Sequence, residues 1–311
     1  MENSRHSEQL INFQELFSIL WDAKYWISLS VSIFGVFSLF YALSLPNIYL
    51  SESLLRLSTQ SSQSTSSPFP SQFGSLASMA GINLGSSGND LGKINTVLST
   101  IQSRDFLKRL LEVEWVLPGL MALESYDTET KKIIYNSSIY NSEENTWIRE
   151  VPNNRSQIPS FQEVLPVYQG TIRVFYNKQT SHITIGVSHQ SPIFAYKFLS
   201  LIIDEINSFN RMITIENAEK SLAYLYEQIS IEKRDDISLT IESVIEQQLQ
   251  SKMLAEVNKD FLIQPIDSPY IPEMKYAPVR SQLCILITLF GGILSCLFFV
   301  LKYYYFTRIE R

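Results

Sequence analysis

Two long stretches of this chain contain no charged side chain at all, and they lie near its two ends. The first is Trp26 to Leu45 (WISLSVSIFGVFSLFYALSL) and the second is Leu283 to Leu301 (LCILITLFGGILSCLFFVL). No Asp, Glu, Lys or Arg occurs between Lys24 and Glu52, or between Arg280 and Lys302. A bilayer core about 30 Å thick takes about 20 apolar residues of helix, and both runs meet that length. A helix buried in a soluble core usually keeps a charge on one face. A cleaved signal would begin earlier, be shorter and be followed by a small-residue cleavage site. The expected fold class is therefore an α+β membrane protein, with two transmembrane helices flanking one folded domain.

The proposed boundaries follow from these runs. Residues 1–25 form a cytoplasmic or interfacial amphipathic segment, 26–45 the first span and 283–301 the second, with a tail at 302–311. Two spans place both termini on one side. Arg5 and Lys24 against Glu2, Glu8, Glu15 and Asp22, and Lys302, Arg308 and Arg311 against Glu310, give only a modest positive bias. Long loops cross membranes largely regardless of charge, so a large external domain is allowed.

Residues 46–282 contain no cysteine. Cys284 and Cys296 both lie in the second run, about 18 Å apart in helical rise, and cannot pair within it. That removes a disulfide framework and a cysteine-based zinc site. With 25 Lys and Arg against 31 Asp and Glu, the net charge is −6. No basic patch with interleaved aromatics appears, so no nucleic-acid partner is expected.

Leu10, Phe13, Leu16, Phe17, Leu20 and Trp21 follow helical spacing and predict a short amphipathic helix from Leu10 to Trp26. Tyr49 to Leu57 reads as a strand. A Ser-rich stretch follows (Ser58 to Ser67), with Pro68 and Pro70, and reads as loop. Helical pattern resumes near Ile94 and runs through Ser103 to Glu114. Residues 120 to 165 are polar and give no clear pattern. Thr171 to Tyr176 and His182 to Ser188 alternate as strands joined by a polar turn.

Ser191 as N-cap and Pro192 at the first helical position open a helix. Helical character then continues to about Asp260, too long for one straight rod that must return to the next strand, Phe261 to Ile266. It is expected to fold back as an antiparallel hairpin over 191–260, turning at Lys233 to Asp236 or between Asn207 and Asn217. The stripe Ile237, Ile241, Val244/Ile245, Leu249 and Met253 is expected to be hairpin core. Residues 261–282 form a strand and a Pro-rich linker, with Pro265, Pro269, Pro272 and Pro278 excluding helix.

Eight short motifs in order resemble the Wzz-type polysaccharide chain-length determinants, the polysaccharide co-polymerases. They are Glu15 to Trp26, Pro46 to Leu55, Leu76 to Gly85 (LASMAGINLG), Ser103 to Leu107, Ile185 to Pro192, Ala218 to Leu225, Glu246 to Ala255, and Asp267 to Glu273 with Pro278. The resemblance implies cytoplasmic termini in a bacterial inner membrane. It implies a periplasmic domain, with an α/β base over residues 46–190 near the membrane and the helical hairpin rising from it. It further implies a homo-oligomeric ring acting with a separate polysaccharide polymerase on a lipid-linked glycan. The family-motif positions singled out for structure, oligomer or polymerase contact are Pro46, Tyr49, Ser51, Glu52, Ser103, Arg104, Pro192, Pro269, Pro272, Pro278, Gly291 and Gly292.

No catalytic, metal or cofactor residue is expected. A phosphate-cradling loop is imitated only by Ser87 to Ile94 (SGNDLGKI), which lacks its first Gly and its terminal hydroxyl. His182 and His189 are an odd seven residues apart on one strand and point to opposite faces. No G-x-S-x-G occurs. Asp204-Glu205 and Asp235-Asp236 read as solvated helix positions. Tyr303, Tyr304 and Tyr305 read as an interfacial belt in contact with membrane lipid. Gly291, Gly292, Ser295 and Cys296 give small-residue spacing that permits close helix packing, within an oligomer or against a polymerase. The function implied is non-enzymatic control of the modal length of a surface polysaccharide, most simply lipopolysaccharide O-antigen. A capsule, exopolysaccharide or common-antigen co-polymerase, or an export component, is the alternative. A two-span sensor or a membrane-anchored glycan enzyme fits less well.

Overall fold

The computed structural model describes residues 20–58, 90–127, 129–152, 155–231 and 235–309. Most of the expected amphipathic helix from Leu10, the Ser-rich stretch and the LASMAGINLG motif lie outside the described residues. The chain divides into two units, Met1–Ile48 with Lys275–Arg311, and Tyr49–Met274.

The first unit is a pair of helices, α1 (Lys24–Ser44) and a last helix (Arg280–Ile309). Leu45, which precedes Pro46, is extended and ends α1, because the proline ring disfavours helical geometry in the residue before it. The pair is antiparallel: the hydroxyls of Ser30 and Ser295 hydrogen-bond at 2.6 Å, while the Cys284 thiol lies 3.8 Å from the Ser38 carbonyl. The apolar windows have mean hydropathies of 1.8 and 2.7, and only 11% of each is buried within the chain. A soluble core helix would be mostly covered, so these helices have the length, composition and exposure of bilayer spans.

The second unit is built on a four-stranded antiparallel sheet in the order β6-β7-β1-β8. Its strands are β1 (Tyr49–Leu57), β6 (Ile172–Asn177), β7 (His182–His189) and β8 (Ile263–Asp267). The alternating strands predicted around 171–188 are paired as β6 and β7. Pairing of Leu55 with Ile183 and Ser53 with Ile185 puts the buried β7 residues Ile183, Ile185 and Val187 on one face. That face meets helices α2 (Asp90–Gln102), α3 (Arg104–Leu111) and the first half of α6 (Pro192–Ile231). Phe106, Leu110, Phe194, Phe198, Leu199, Ile202 and Ile206 fill the core between them. Pro265 is tolerated in β8 because β8 is an edge strand and its missing N–H faces no partner.

The polar region 120–165 is resolved into α4 (Val116–Met121), two small hairpins and α5 (Phe161–Thr171). The hairpins are β2 (Leu123–Asp127) with β3 (Lys132–Tyr135), and β4 (Tyr140–Asn141) with β5 (Thr146–Trp147). Gly119 of α4 is required by packing: a Cβ there would sit 2.0 Å from the Phe194 ring.

Helix α6 has 40 residues, about 60 Å of rise, and contains no Gly or Pro after Pro192. Ser191 caps it, its Oγ accepting from the Phe194 N–H at 3.2 Å. The expected break between Asn207 and Asn217 does not occur. Asn207 and Asn210 look like breakers in sequence, but both side chains are buried and bonded inside a continuous helix. The helix is described without a break to Ile231, and the next helix, α7 (Asp235–Val257), is described from Asp235. Ala218 and Leu222 of α6 pack with Ile245 and Ala255 of α7, and Lys252 reaches Glu219 at 2.7 Å. The last helix of the chain, in order, is α8 (Arg280–Ile309).

Candidate functional site

The positions singled out from sequence gather mainly where the first strand meets the Pro-rich return. In the second unit, the Ser51 hydroxyl donates to the Tyr270 carbonyl at 2.7 Å, and the neighbouring Ser53 hydroxyl donates to Asp267 O at 2.6 Å. Two small hydroxyl side chains thus tie the D-S-P-x-x-P segment, which has no helix or sheet ladder beyond Asp267, to β1. Pro272 is buried and Pro269 half-buried along this return. Tyr49 is buried edge-on to Tyr126 with ring centroids 6.3 Å apart, and Glu52 lies opposite Gly186 of β7.

In the first unit, residues 45–48 and 276–280 form a clamp. The Ile48 N–H donates to Ala277 O at 2.8 Å, and the Tyr276 N–H returns a bond to Ile48 O at 2.8 Å. Arg280 Nη2 reaches Asn47 Oδ1 at 3.2 Å and Leu45 O at 3.4 Å. Pro46 and Pro278 lie in the two arms of this clamp, the latter after a cis bond from Ala277. Gly291 packs within the chain itself: a Cβ there would lie 2.3 Å from the Phe34 ring of α1, and one on Gly292 3.5 Å from Val31. The small-residue face expected to meet an oligomer or a polymerase is therefore occupied, at Gly291, by the protein's own first span. Beside it an apolar groove of about 650 Å³ is lined by Val31, Gly35, Ser38, Cys284 and Thr288.

Three positions serve the fold locally. Ser103 is the N-cap of α3, its Oγ accepting from Phe106 N–H at 3.1 Å, and Arg104 beside it is exposed. Pro192 is the first residue of α6.

The ionisable groups read as structural. His189 is buried at the end of β7, where its Nδ1 accepts from Ser191 N–H at 3.1 Å and its Nε2 faces Gly119 O at 3.0 Å. Burial pushes its pKa down to about 4, so the ring is neutral with the proton on Nε2. The Tyr168 hydroxyl donates to Ile101 O at 2.8 Å, and burial raises its pKa well above the ordinary phenol value. Glu205 is a correction to the reading of a solvated acidic pair: its carboxylate is bound by Arg109 Nε, and Arg109 lies over Phe209. The described residues contain no group of three or more His, Cys, Asp or Glu placed to hold a metal ion.

Sequence reasoning missed the outer face of α7. Ile245 is hairpin core as expected, but Leu249, Met253 and Val257 at i, i+4 and i+8 are turned to solvent, Met253 57% and Val257 77% exposed. It also missed Asn207, whose Oδ1 accepts from Leu262 and Ile263 N–H at 2.9 and 3.0 Å while its Nδ2 donates to Ile263 O at 2.9 Å. A polar residue on an apolar helix face was the available signal.

Residues 9–113, which include α1, β1, α2 and α3, match the family model described as Wzz, chain length determinant protein. No curated protein matches the sequence. Among solved structures, one titled full-length bacterial polysaccharide co-polymerase aligns over 95% of this chain and 99% of its own. Its sequence identity is 12% and its TM-score 0.36. A fragment of WzzB, polysaccharide co-polymerase from Salmonella Typhimurium, aligns over 74% of this chain and 100% of its own, at 12% identity and a TM-score of 0.24. Residues 9–113, about a third of the chain, thus carry the signature of the chain length determinant family.

Proposed function

We propose that the protein is a non-enzymatic, self-associating scaffold of the bacterial inner membrane. It sets the modal length of a lipid-linked surface polysaccharide, most simply lipopolysaccharide O-antigen, together with a separate polymerase. The domain between the spans is read as periplasmic. The observation that carries the scaffold reading is the pairing of a Wzz signature with a helical hairpin whose apolar outer face has no cover among the described residues. Leu249, Met253 and Val257 form a stripe flanked by Glu242 and Glu246 on the same helix face, the composition of a contact between copies rather than of a lone helix.

The test is deletion of the gene in its host, followed by gel resolution of the surface polysaccharide. The expected result is collapse of a modal ladder to a short, unregulated distribution that is restored by the wild-type gene. An unchanged ladder overturns the chain-length reading. Resolving capsule and common antigen in the same strain decides which polymer is controlled.

A further inference from the structure

We propose that the clamp of residues 45–48 and 276–280 is a binding site for a lipid phosphate, with Arg280 as its ligating residue. The inference rests on α1 and α8 lying in a bilayer and is independent of the polysaccharide reading.

The first observation is the state of Arg280. A guanidinium carries five N–H donors. The described bonds of Arg280 use only Nη2, toward Asn47 Oδ1 and Leu45 O, while Nε is buried and without an acceptor. Nε is enclosed by the chain, so an outside acceptor meets the Nη1 edge of the fork, which makes no bond among the described residues and is not buried.

The second observation is charge. Arg280 is the one charged side chain within residues 45–48 and 276–280; α1 and the first arm contain no carboxylate between Lys24 and Glu52, and none occurs from Met274 to Ile309, the nearest in sequence being Glu273. The clamp itself therefore carries one positive charge, Arg280, with no ion pair to it among the described residues.

The third observation is its surroundings. Tyr276 is 48% and Val279 49% exposed, and α8 begins at the next residue with a mean hydropathy of 2.7. Aromatic and aliphatic side chains beside a cation at the end of a span fit the layer where lipid phosphates lie over acyl chains. Arginine suits that ligand because its planar fork meets phosphate oxygens with two parallel bonds. The bound group is either the phosphodiester of a bilayer phospholipid or the phosphate of a polyprenyl carrier, which share this chemistry.

The experiment uses the purified full chain in a neutral sugar detergent, with retained lipid counted by native mass spectrometry. Three lipids are titrated: phosphatidylglycerol, polyprenyl phosphate, and diacylglycerol with the same acyl chains and no phosphate. The expected result is retention of at least one phosphate lipid about tenfold above diacylglycerol. Loss of that excess is expected in Arg280→Gln, with partial retention in Arg280→Lys. The phosphate lipid that competes better identifies the source. Equal retention of diacylglycerol and both phosphate lipids by the wild-type protein overturns the proposal without recourse to any variant. So does wild-type retention by Arg280→Gln.

Discussion

The two halves of α6 live in different environments. The first half, from Phe194 to Ile206, lies in a core where Phe198, Leu199 and Ile202 are fully buried, and Asn207 at its end is bonded to the backbone of the β8 strand. Among the described residues the second half packs against one helix, through Ala218 and Leu222, and the outer face of that partner is apolar and exposed. The same continuous helix thus buries a broad apolar face against sheet and helices at one end, leaving Lys197 and Asp204 exposed, and is half-covered at the other. The hairpin, among the described residues, leaves the rest of its apolar surface uncovered.

The contrast can be broken by substitution. Phe198→Ala should destabilise the base most, by about 4 kcal/mol, as a large buried ring is lost and a cavity left. Chemical unfolding followed at the native Trp115, which lies edge-on to Phe198, reads it. Asn207→Ala removes the acceptor for two buried strand N–H groups and a donor to Ile263 O. A loss of about 3 kcal/mol is expected, with hydrogen exchange at Leu262 and Ile263 accelerating first. Acid should act on the base in a similar range. His189 has its pKa lowered by burial to about 4 in the folded protein, so the unfolded chain binds the proton more readily. Stability contributed by the neutral ring is full above the unfolded value near 6.5. It falls as pH drops from there toward 4, by on the order of 3 kcal/mol in total. His189→Gln should flatten that part of the pH profile. Ser103→Ala, which removes the α3 cap, should cost about 1 kcal/mol. Met253→Ser with Val257→Ser should change the stability of an isolated chain by less than about 0.5 kcal/mol, yet abolish self-association in sedimentation. Unchanged association would mean the open face is not the contact.

What the sequence disclosed and what it hid follow the same line. Local signals were legible: the alternation of Ile183, Ile185 and Val187, the Ser191-Pro192 start of α6, and the two uncharged apolar runs. Three hairpin turns share one local device that was read only once. Asp127, Asn141 and Asn177 each accept backbone N–H groups two and three residues on, and the residue four on (Lys131, Asn145, Ser181) has positive φ. Only the turn at 177 was expected, because strong alternation flanks it. Around 127 and 141 the strands are too short to alternate. Long-range partners left no periodic trace. Nothing local tells that Ser51 meets Tyr270, or that Phe34 fills the notch at Gly291. Periodicity identified the α7 stripe as apolar but not which neighbour would cover each turn. That is why Ile245 is core while Leu249 and Met253 are not.

The unbroken course of α6 also makes it a lever. A helix of about 60 Å with no Gly or Pro past its first residue has no built-in hinge. Its near end is fixed among sheet and helices and its far part, among the described residues, packs against α7. A tilt of about one degree at the base would carry the far end through roughly 1 Å. Small changes in how the core seats this helix are therefore magnified along it, and an event at the sheet can be felt at the Ile231 end without any chemical signal passing between them.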